Sequence, residues 1–299
     1  MKPIYAAAIS RSAPKLVAPL RLTNDGDEAA TVEFFDNYAA GTKLKIRTTA
    51  DGEWQQWDFS TITLQPGEFV EICGENSECT NMLGKFELTG SIAASGSVMS
   101  MVYGEKTNEQ NQKLLTFNAF GYYNEDSGDE DGMFYGCTGL TAAPELPATT
   151  LATSCYASMF NGCTGLTAAP ELPATTLATN CYISMFNGCT GLTAAPELPA
   201  TTLATSCYAS MFNGCTGLTA APELPATTLA ANCYASMFNG CTGLTEVAVG
   251  FSAWDNDNNA TSNWLGGVAA SGTFKCPAGL DTTTRDASHV PENWTVENV

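Results

Sequence analysis

Cysteine is a reactive residue type, and the chain contains twelve of them. Nine of the twelve cysteines recur at a fixed spacing in two series, Cys137, Cys163, Cys189, Cys215 and Cys241, and Cys155, Cys181, Cys207 and Cys233. Zinc ligands usually occur at Cys-x-x-Cys-type spacing, which neither series has. A cysteine repeated once per structural unit packs as a small hydrophobe, so we predict buried thiols. Cys73 and Cys79 are the pair best placed for a disulfide.

The candidates for acid–base catalysis are a single histidine and 31 acids. His289 lies near the C-terminal end, between Ser288 and Val290, and a nucleophile–histidine system needs that ring in a structured cleft. Paired-carboxylate catalysis needs one neutral and one ionised acid. The repeats described below hold one acid each, in equivalent surroundings: Glu145, Glu171, Glu197 and Glu223. We therefore predict a protein that is not an enzyme, with no catalytic residues and no cofactor.

Two acidic stretches raise the question of calcium, which prefers several oxygen ligands. Residues 124–132 hold five acids, but their spacing fits no defined calcium loop. Residues 255–259 resemble the start of an EF-hand loop, yet Ala260 replaces the required glycine and Gly266 stands where the bidentate glutamate belongs. We predict solvated acidic loops and no metal site, with a single surface ion as the alternative.

The elements that must position these residues repeat with a period of 26 residues between Met133 and Val249. Fixed periods of this size are typical of solenoids, in which neighbouring repeats bury a shared core. A helix of about two turns is predicted in each repeat, because Ser or Asn precedes it and Gly follows it, as at Ser154 and Gly162. The segment around Leu166 is predicted to form a short parallel strand. The predicted inward positions are Cys163, Leu166, Leu172, Leu177, Cys181, Tyr182, Met185 and Phe186.

The repeat also resembles a known family. The run Tyr-x-x-Met-Phe-x-Gly-Cys-Thr-x-Leu-Thr, followed by Pro-x-Leu-Pro-Ala-Thr-Thr-Leu, resembles the BspA-like leucine-rich repeats, in the form found in gut-bacterial surface proteins and their phages. The likeness covers roughly residues 80–299. It implies a leucine-rich-repeat fold and a role in adhesion or ligand binding, although a fold alone does not define a function.

The region before the repeats has the alternation of a β domain. Strands are predicted at residues 20–23, 31–34, 44–47, 61–64 and 69–72, with turn signals between them. Trp54 and Trp57 are predicted to fill its core, with sugar stacking as the alternative. The predicted fold is mixed β and α/β: an N-terminal antiparallel β-sandwich, then a capped leucine-rich-repeat solenoid with short parallel strands and short helices. The predicted divisions are an arm (1–20), the sandwich (21–104), a junction and first cap (105–132), the solenoid (133–249) and a C-terminal cap (250–299).

Charge restricts the possible partners. The net charge is −19, and there is no Lys or Arg between Lys113 and Lys275. Such a surface disfavours nucleic acid and anionic membranes, whose binding depends on basic residues, and no apolar run is long enough for direct membrane insertion. The acidity provides solubility or attracts a cationic partner or a divalent metal ion. The arm contains Lys2, Arg11 and Lys15, which are candidate anchoring residues if the arm is not simply a frayed terminus.

A repeated exposed row is suited to multivalent recognition. We predict a surface-displayed adhesion protein that binds a host cell-surface protein or glycan through one row of side chains: Glu145, Glu171, Glu197, Glu223, Thr149, Thr175, Thr201 and Thr227. With no signal peptide recognisable near Met1, we expect a phage virion component, such as a fibre or capsid decoration, attached to a virion platform protein by the arm. The alternative is a bacterial cell-surface adhesin whose leader has been removed. Homo-oligomers are possible.

Overall fold

The computed structural model describes residues 17–36, 43–74, 84–104, 107, 121–123 and 130–299. The elements before the repeats are β1 (Leu20–Asn24), β2 (Ala30–Asp36), β3 (Leu44–Arg47), β4 (Gln55–Gln56), β5 (Ile62–Leu64), β6 (Phe69–Gly74), β7 (Gly84–Thr89), β8 (Ile92–Ser95), α1 (Ser100–Tyr103), β9 (Gly121–Tyr123) and β10 (Glu130–Gly132). The remaining strands are β11 (Leu140–Ala142), β12 (Glu246–Ala248), β13 (Thr273–Cys276) and β14 (Thr295–Asn298). All five strands predicted from alternation are present, as β1, β2, β3, β5 and β6.

The strands of the N-terminal region form two unequal sheets. One has six strands in the order β11-β8-β1-β6-β3-β4, and the other has three in the order β5-β2-β7. Trp57 and Phe34 are buried in this region, with their ring centroids 5.9 Å apart. The predicted antiparallel β-sandwich is wrong, because the larger sheet also contains β11 from the first repeat, which pairs in parallel with β8. The N-terminal sheet and the repeats are therefore joined by a shared strand ladder.

The predicted capped solenoid, with a helix and a parallel strand in each repeat, is also wrong. The only helix in the described part of the chain is α1, which lies before the repeats. Residues 151–245 form turns and irregular segments, and their strand pairing is limited to isolated bridges such as Thr150 to Thr176. The repeats instead build a stack of hydrogen-bonded turns.

Backbone conformation explains why no helix forms in the repeats. Ser154, the predicted helix cap, has φ of 55°, and Ser158 has φ of 52°. An N-cap residue is usually extended, whereas these residues are left-handed, and a left-handed residue every fourth position interrupts a right-handed helix. Gly162 does have the predicted positive φ, at 75°. Asn180 and Ser184 repeat this arrangement in the next copy.

Hydrogen bonds alternate between neighbouring repeats and local turns. The N–H of Tyr156 donates to Cys181 O at 3.0 Å, and the N–H of Phe160 donates to Met185 O at 2.9 Å. The intervening Met159 donates back to Tyr156 O at 3.3 Å. Half of the amides in this segment therefore join one repeat to the next, which satisfies the backbone without a helix or a continuous strand.

Equivalent side chains stack in columns inside the repeats. Consecutive phenylalanine rings from Phe160 to Phe238 have centroids 5.6 Å apart. Tyr182 and Tyr208 stack at 5.8 Å in a second column. The predicted inward positions are buried, apart from the half-buried Leu177. Burial of these rings supplies the apolar contact that a stack of turns requires.

Both ends of the phenylalanine column are covered by aromatic side chains. At the first end, the ring of Phe86 in β7 lies 5.1 Å from that of Phe134, and the Phe86 N–H donates to Met133 O at 2.7 Å. At the other end Trp264 is fully buried, and its carbonyl accepts from the N–H of Phe238 at 2.9 Å. Trp264 therefore covers this end of the column. Residues 114–120, predicted as part of a first cap, lie outside the described residues.

Candidate binding face

A groove between two successive repeats contains two of the predicted glutamates. Its volume is about 410 Å³, and its lining residues are Ala169, Pro170, Glu171, Leu172, Pro173, Pro196, Glu197 and Pro199. Leu172 is buried beneath it, whereas Glu171 and Glu197 are exposed. Proline has a fixed φ, so the groove has a rigid outline with a carboxylate contributed by each repeat.

The lining sequence recurs in each repeat. Pro-Glu-Leu-Pro occurs at residues 144–147, 170–173, 196–199 and 222–225, always 26 residues apart. Because backbone hydrogen bonds hold neighbouring repeats in constant register, these segments follow one another along a single surface. We call this surface, residues 144–147, 170–173, 196–199 and 222–225, the Pro–Glu face.

The predicted threonines lie beside the groove. Thr175, Thr201 and Thr227 are exposed and Thr149 is half-buried, but none lines the groove. The N–H of Thr175 donates to Thr149 O at 3.1 Å, so equivalent threonines are neighbours in consecutive repeats. Prolines were not included among the predicted site residues. The repeated Pro-x-Leu-Pro sequence indicates a turn. It does not show which residues line a groove between repeats.

The glutamate row has a different environment at each end. The backbone of Glu145 is bonded to the N-terminal region, with its N–H donating to Gly96 O at 2.8 Å. Beyond Glu223 the equivalent positions are Val249 and then Lys275. The hydrogen bond from Lys275 to Glu246 raises the pKa of the lysine, and the nearby charge of Glu223 adds to this rise. The row is thus limited to four glutamates and ends near a cation.

The predicted buried thiols are confirmed. All nine repeat cysteines are buried and unbridged. Burial raises the pKa of Cys155, Cys181 and Cys189 to about 12. The thiol of Cys163 also donates to Phe134 O at 3.0 Å, so this column satisfies backbone carbonyls. A thiolate is the reactive form of cysteine, and these groups are held in the protonated form.

Several other predicted residues take structural positions or lie outside the described residues. Trp57 is buried and its Nε1 donates to Ser60 O at 3.0 Å, which confirms its role in the core, whereas Trp54 is half-buried on the surface. Cys73 is buried in β6. The candidate anchoring residues Lys2, Arg11 and Lys15, together with Cys79 and residues 124–129, lie outside the described residues.

His289 is positioned at the end of the repeats. Its Nδ1 lies 2.8 Å from Asp286 Oδ1, and its ring is edge-on to Trp254 with centroids 4.9 Å apart. Its carbonyl accepts from Trp264 Nε1 at 3.1 Å. These contacts connect the histidine to the aromatic side chains that cover the last repeat.

Among the described residues, no group of three or more His, Cys, Asp and Glu side chains could hold a metal ion. In the same part of the chain, no helix has the length and apolar character needed to cross a membrane. No family model matches the chain, and comparisons with curated proteins and with solved structures give no significant match.

Proposed function

We propose that this chain is a non-enzymatic binding protein that recognises a repeating ligand along the Pro–Glu face. The observation that carries the proposal is the groove between Pro170–Pro173 and Pro196–Pro199, which presents an exposed glutamate from each of two successive repeats. The sequence that forms it recurs along the stack. A ligand with cationic or hydroxyl groups at regular intervals can therefore make the same contact several times.

Repetition allows weak contacts to add. A single exposed ion pair contributes only about 0.2–1 kcal/mol. Once one group of a ligand is bound, the next binds as an intramolecular event at a high effective concentration. A row of four glutamates can therefore bind a polymer tightly although each groove binds a single unit weakly. The prolines assist because a rigid surface loses little conformational entropy on binding.

The equivalence of the repeats also supports binding over catalysis. A two-carboxylate mechanism requires acids in different environments, whereas Glu171 and Glu197 are both exposed and occupy the same position in their repeats. We therefore propose that these side chains bind ligand without transforming it.

For the biological setting, we propose display on a particle or cell surface, with a host cell-surface protein or glycan as the ligand. A virion component attached by its N-terminal region to a platform protein is the form we favour. The resemblance of the repeats to BspA-like surface and phage proteins supports this setting, and a bacterial cell-surface adhesin is the second candidate on the same ground.

Neutralising the glutamate row tests the binding role. We expect the joint replacements Glu145→Gln, Glu171→Gln, Glu197→Gln and Glu223→Gln to weaken binding of oligomeric glucosamine by roughly 30-fold or more, since several contacts of about 0.5 kcal/mol or more are lost together. Titration calorimetry of chitosan oligomers measures this loss.

A matched control alters four exposed acids away from the repeats. Asp27→Asn, Asp51→Asn, Glu53→Gln and Glu87→Gln change the net charge by the same amount, and we expect a much smaller loss. Equal losses in the two variants would show general charge attraction and contradict a site on the Pro–Glu face. Fully N-acetylated oligomers, which are neutral, distinguish recognition of the cation from recognition of the hydroxyl groups.

A further inference from the structure

We propose that the outer face of the six-stranded sheet is a docking site for the carboxylates of an acidic protein, centred on Arg21, Glu71 and Arg47. This inference deepens the proposed function, because it supplies the surface by which the N-terminal region attaches to a larger assembly. It uses residues on the sheet, separate from the Pro–Glu face.

The sheet brings two arginines to one carboxylate. β6 lies between β1 and β3, and both Arg21 and Arg47 are directly opposite Glu71 in the strand register. Arg21 Nε donates to Glu71 Oε1 at 3.0 Å, and Arg47 Nε donates to Glu71 Oε2 at 2.6 Å. The side chain of Glu71 is only 5% exposed. Its two oxygens therefore hold both guanidinium groups in fixed positions.

Aromatic rings fix the same two guanidinium groups from one side. The Arg21 guanidinium carbon lies 4.0 Å from the centroid of Phe69, and that of Arg47 lies 4.6 Å from the centroid of Trp54. Such stacking is attractive and removes one face of each guanidinium from water. A binding partner would then lose little side-chain entropy when it pairs with either arginine.

Within the part of the chain that the structure describes, two arginines share the single carboxylate of Glu71. One glutamate faces two arginines, whose side chains are still 36% and 22% exposed. Among the described residues, the two Nη groups of Arg47 have no hydrogen-bond acceptor, since its only ion pair uses Nε. In this part of the chain, the Arg47 Nη groups are therefore N–H donors that are held in place and available to a partner.

Carboxylates of an acidic polypeptide match these donors. The planar fork of arginine pairs with a carboxylate through two parallel hydrogen bonds. Nucleic acid also carries oxygen acceptors that an arginine fork can bind, and the oligothymidylate in the test below distinguishes it from an acidic peptide. Eight of the twelve basic residues lie before residue 86, so the N-terminal region is the part of the chain where an acidic partner is least repelled.

The test measures binding of a deca-glutamate peptide to the full chain at low salt by fluorescence anisotropy. We expect the joint replacement Arg21→Gln, Glu71→Gln and Arg47→Gln to weaken binding at least tenfold. Removing the whole cluster avoids leaving Glu71 buried without a partner, and thermal unfolding confirms that the variant is folded. Lys275→Gln changes the net charge equally and should leave the affinity within twofold.

A second variant separates charge from geometry. Arg21→Lys with Arg47→Lys keeps both charges but loses the planar forks, so we expect a loss of several-fold. Wild-type affinity in the glutamine variant would overturn the proposal, as would an oligothymidylate that binds more tightly than the peptide in the same buffer. Binding of chitosan oligomers should be unchanged in both variants. If that binding is absent from the wild type while peptide binding is present, the proposed function fails and the docking site stands.

Discussion

Raising the pH above about 9 should unfold the repeats in one steep transition. Nine buried thiols have pKa values raised above the ordinary value of 9.0, for example to about 11 for Cys233 and about 12 for Cys137. Burial is the main cause in each. Because the folded pKa is the higher one, the stabilisation is complete below the pKa of the unfolded thiol. This stabilisation is lost as the pH rises towards the pKa of the thiols in the folded protein. In that pH range only the unfolded chain can release the thiol protons.

The size of this effect follows from the number of thiols. Each group that is ionised in the unfolded chain and protonated in the folded one changes stability by about 1.4 kcal/mol per pH unit. Nine such groups give a limiting slope of about 12 kcal/mol per pH unit. Typical stabilities are about 5–15 kcal/mol, so we expect unfolding within about two pH units above 9.

Urea unfolding between pH 7 and 11 under reducing conditions, followed by circular dichroism, measures the slope. A variant with Cys163→Ala and Cys189→Ala lacks two of the titrating groups, so its slope should fall by about 3 kcal/mol per pH unit. Stability that stays constant from pH 8 to 11 would contradict the burial of the two cysteine columns.

Trp264→Ala should cost about 3–5 kcal/mol of stability, in the range for a large buried aromatic residue replaced by alanine. Trp264 is fully buried at the end of both aromatic columns, with its ring 6.2 Å from Tyr234 and 6.5 Å from Phe238. Its Nε1 donates to His289 O at 3.1 Å. Removal would leave a cavity against the last repeat and an unused acceptor.

Trp254→Ala is the matched control, because Trp254 packs beside Trp264 with centroids 6.2 Å apart but is only half-buried. We expect a smaller loss there. Hydrogen exchange adds a local measurement, since the amides of Tyr234 and Phe238 donate to Ala260 O and Trp264 O across this end. They should exchange faster in Trp264→Ala. Equal stability of the wild type and Trp264→Ala would show that this end of the stack does not depend on the tryptophan.

The sequence predicted which side chains are buried better than it predicted the backbone that buries them. A fixed period places the same residue at the same depth in each repeat, so Cys163, Tyr182 and Phe186 could be assigned to the interior. Serine and asparagine are both common at helix N-caps, so the residue types of Ser154 and Asn180 predicted a helix start. They adopt positive φ instead, a conformation that asparagine visits more readily than serine does. Hydrogen bonding between repeats holds both residues in this conformation.

The N-terminal sheets and the groove show the same difference between what local sequence predicts and what long-range packing decides. Alternation predicted β1, β2 and β6, but no local pattern shows that β11 would join β8 across nearly fifty residues of sequence. Likewise Glu171 and Glu197 could be assigned to one row from their period alone. The groove is lined by residues of two successive repeats, among them Pro173 and Pro196, and it therefore depends on packing between repeats.

The most direct test of the Pro–Glu face is to change its length. Deleting residues 185–210 removes one 26-residue period and joins equivalent positions, so the remaining repeats keep their register. We predict that this variant stays folded but binds long chitosan oligomers more weakly than the full chain does, while very short oligomers bind both proteins equally. Equal affinity of the two proteins for long oligomers, measured by calorimetry in the same buffer, would contradict recognition by successive repeats.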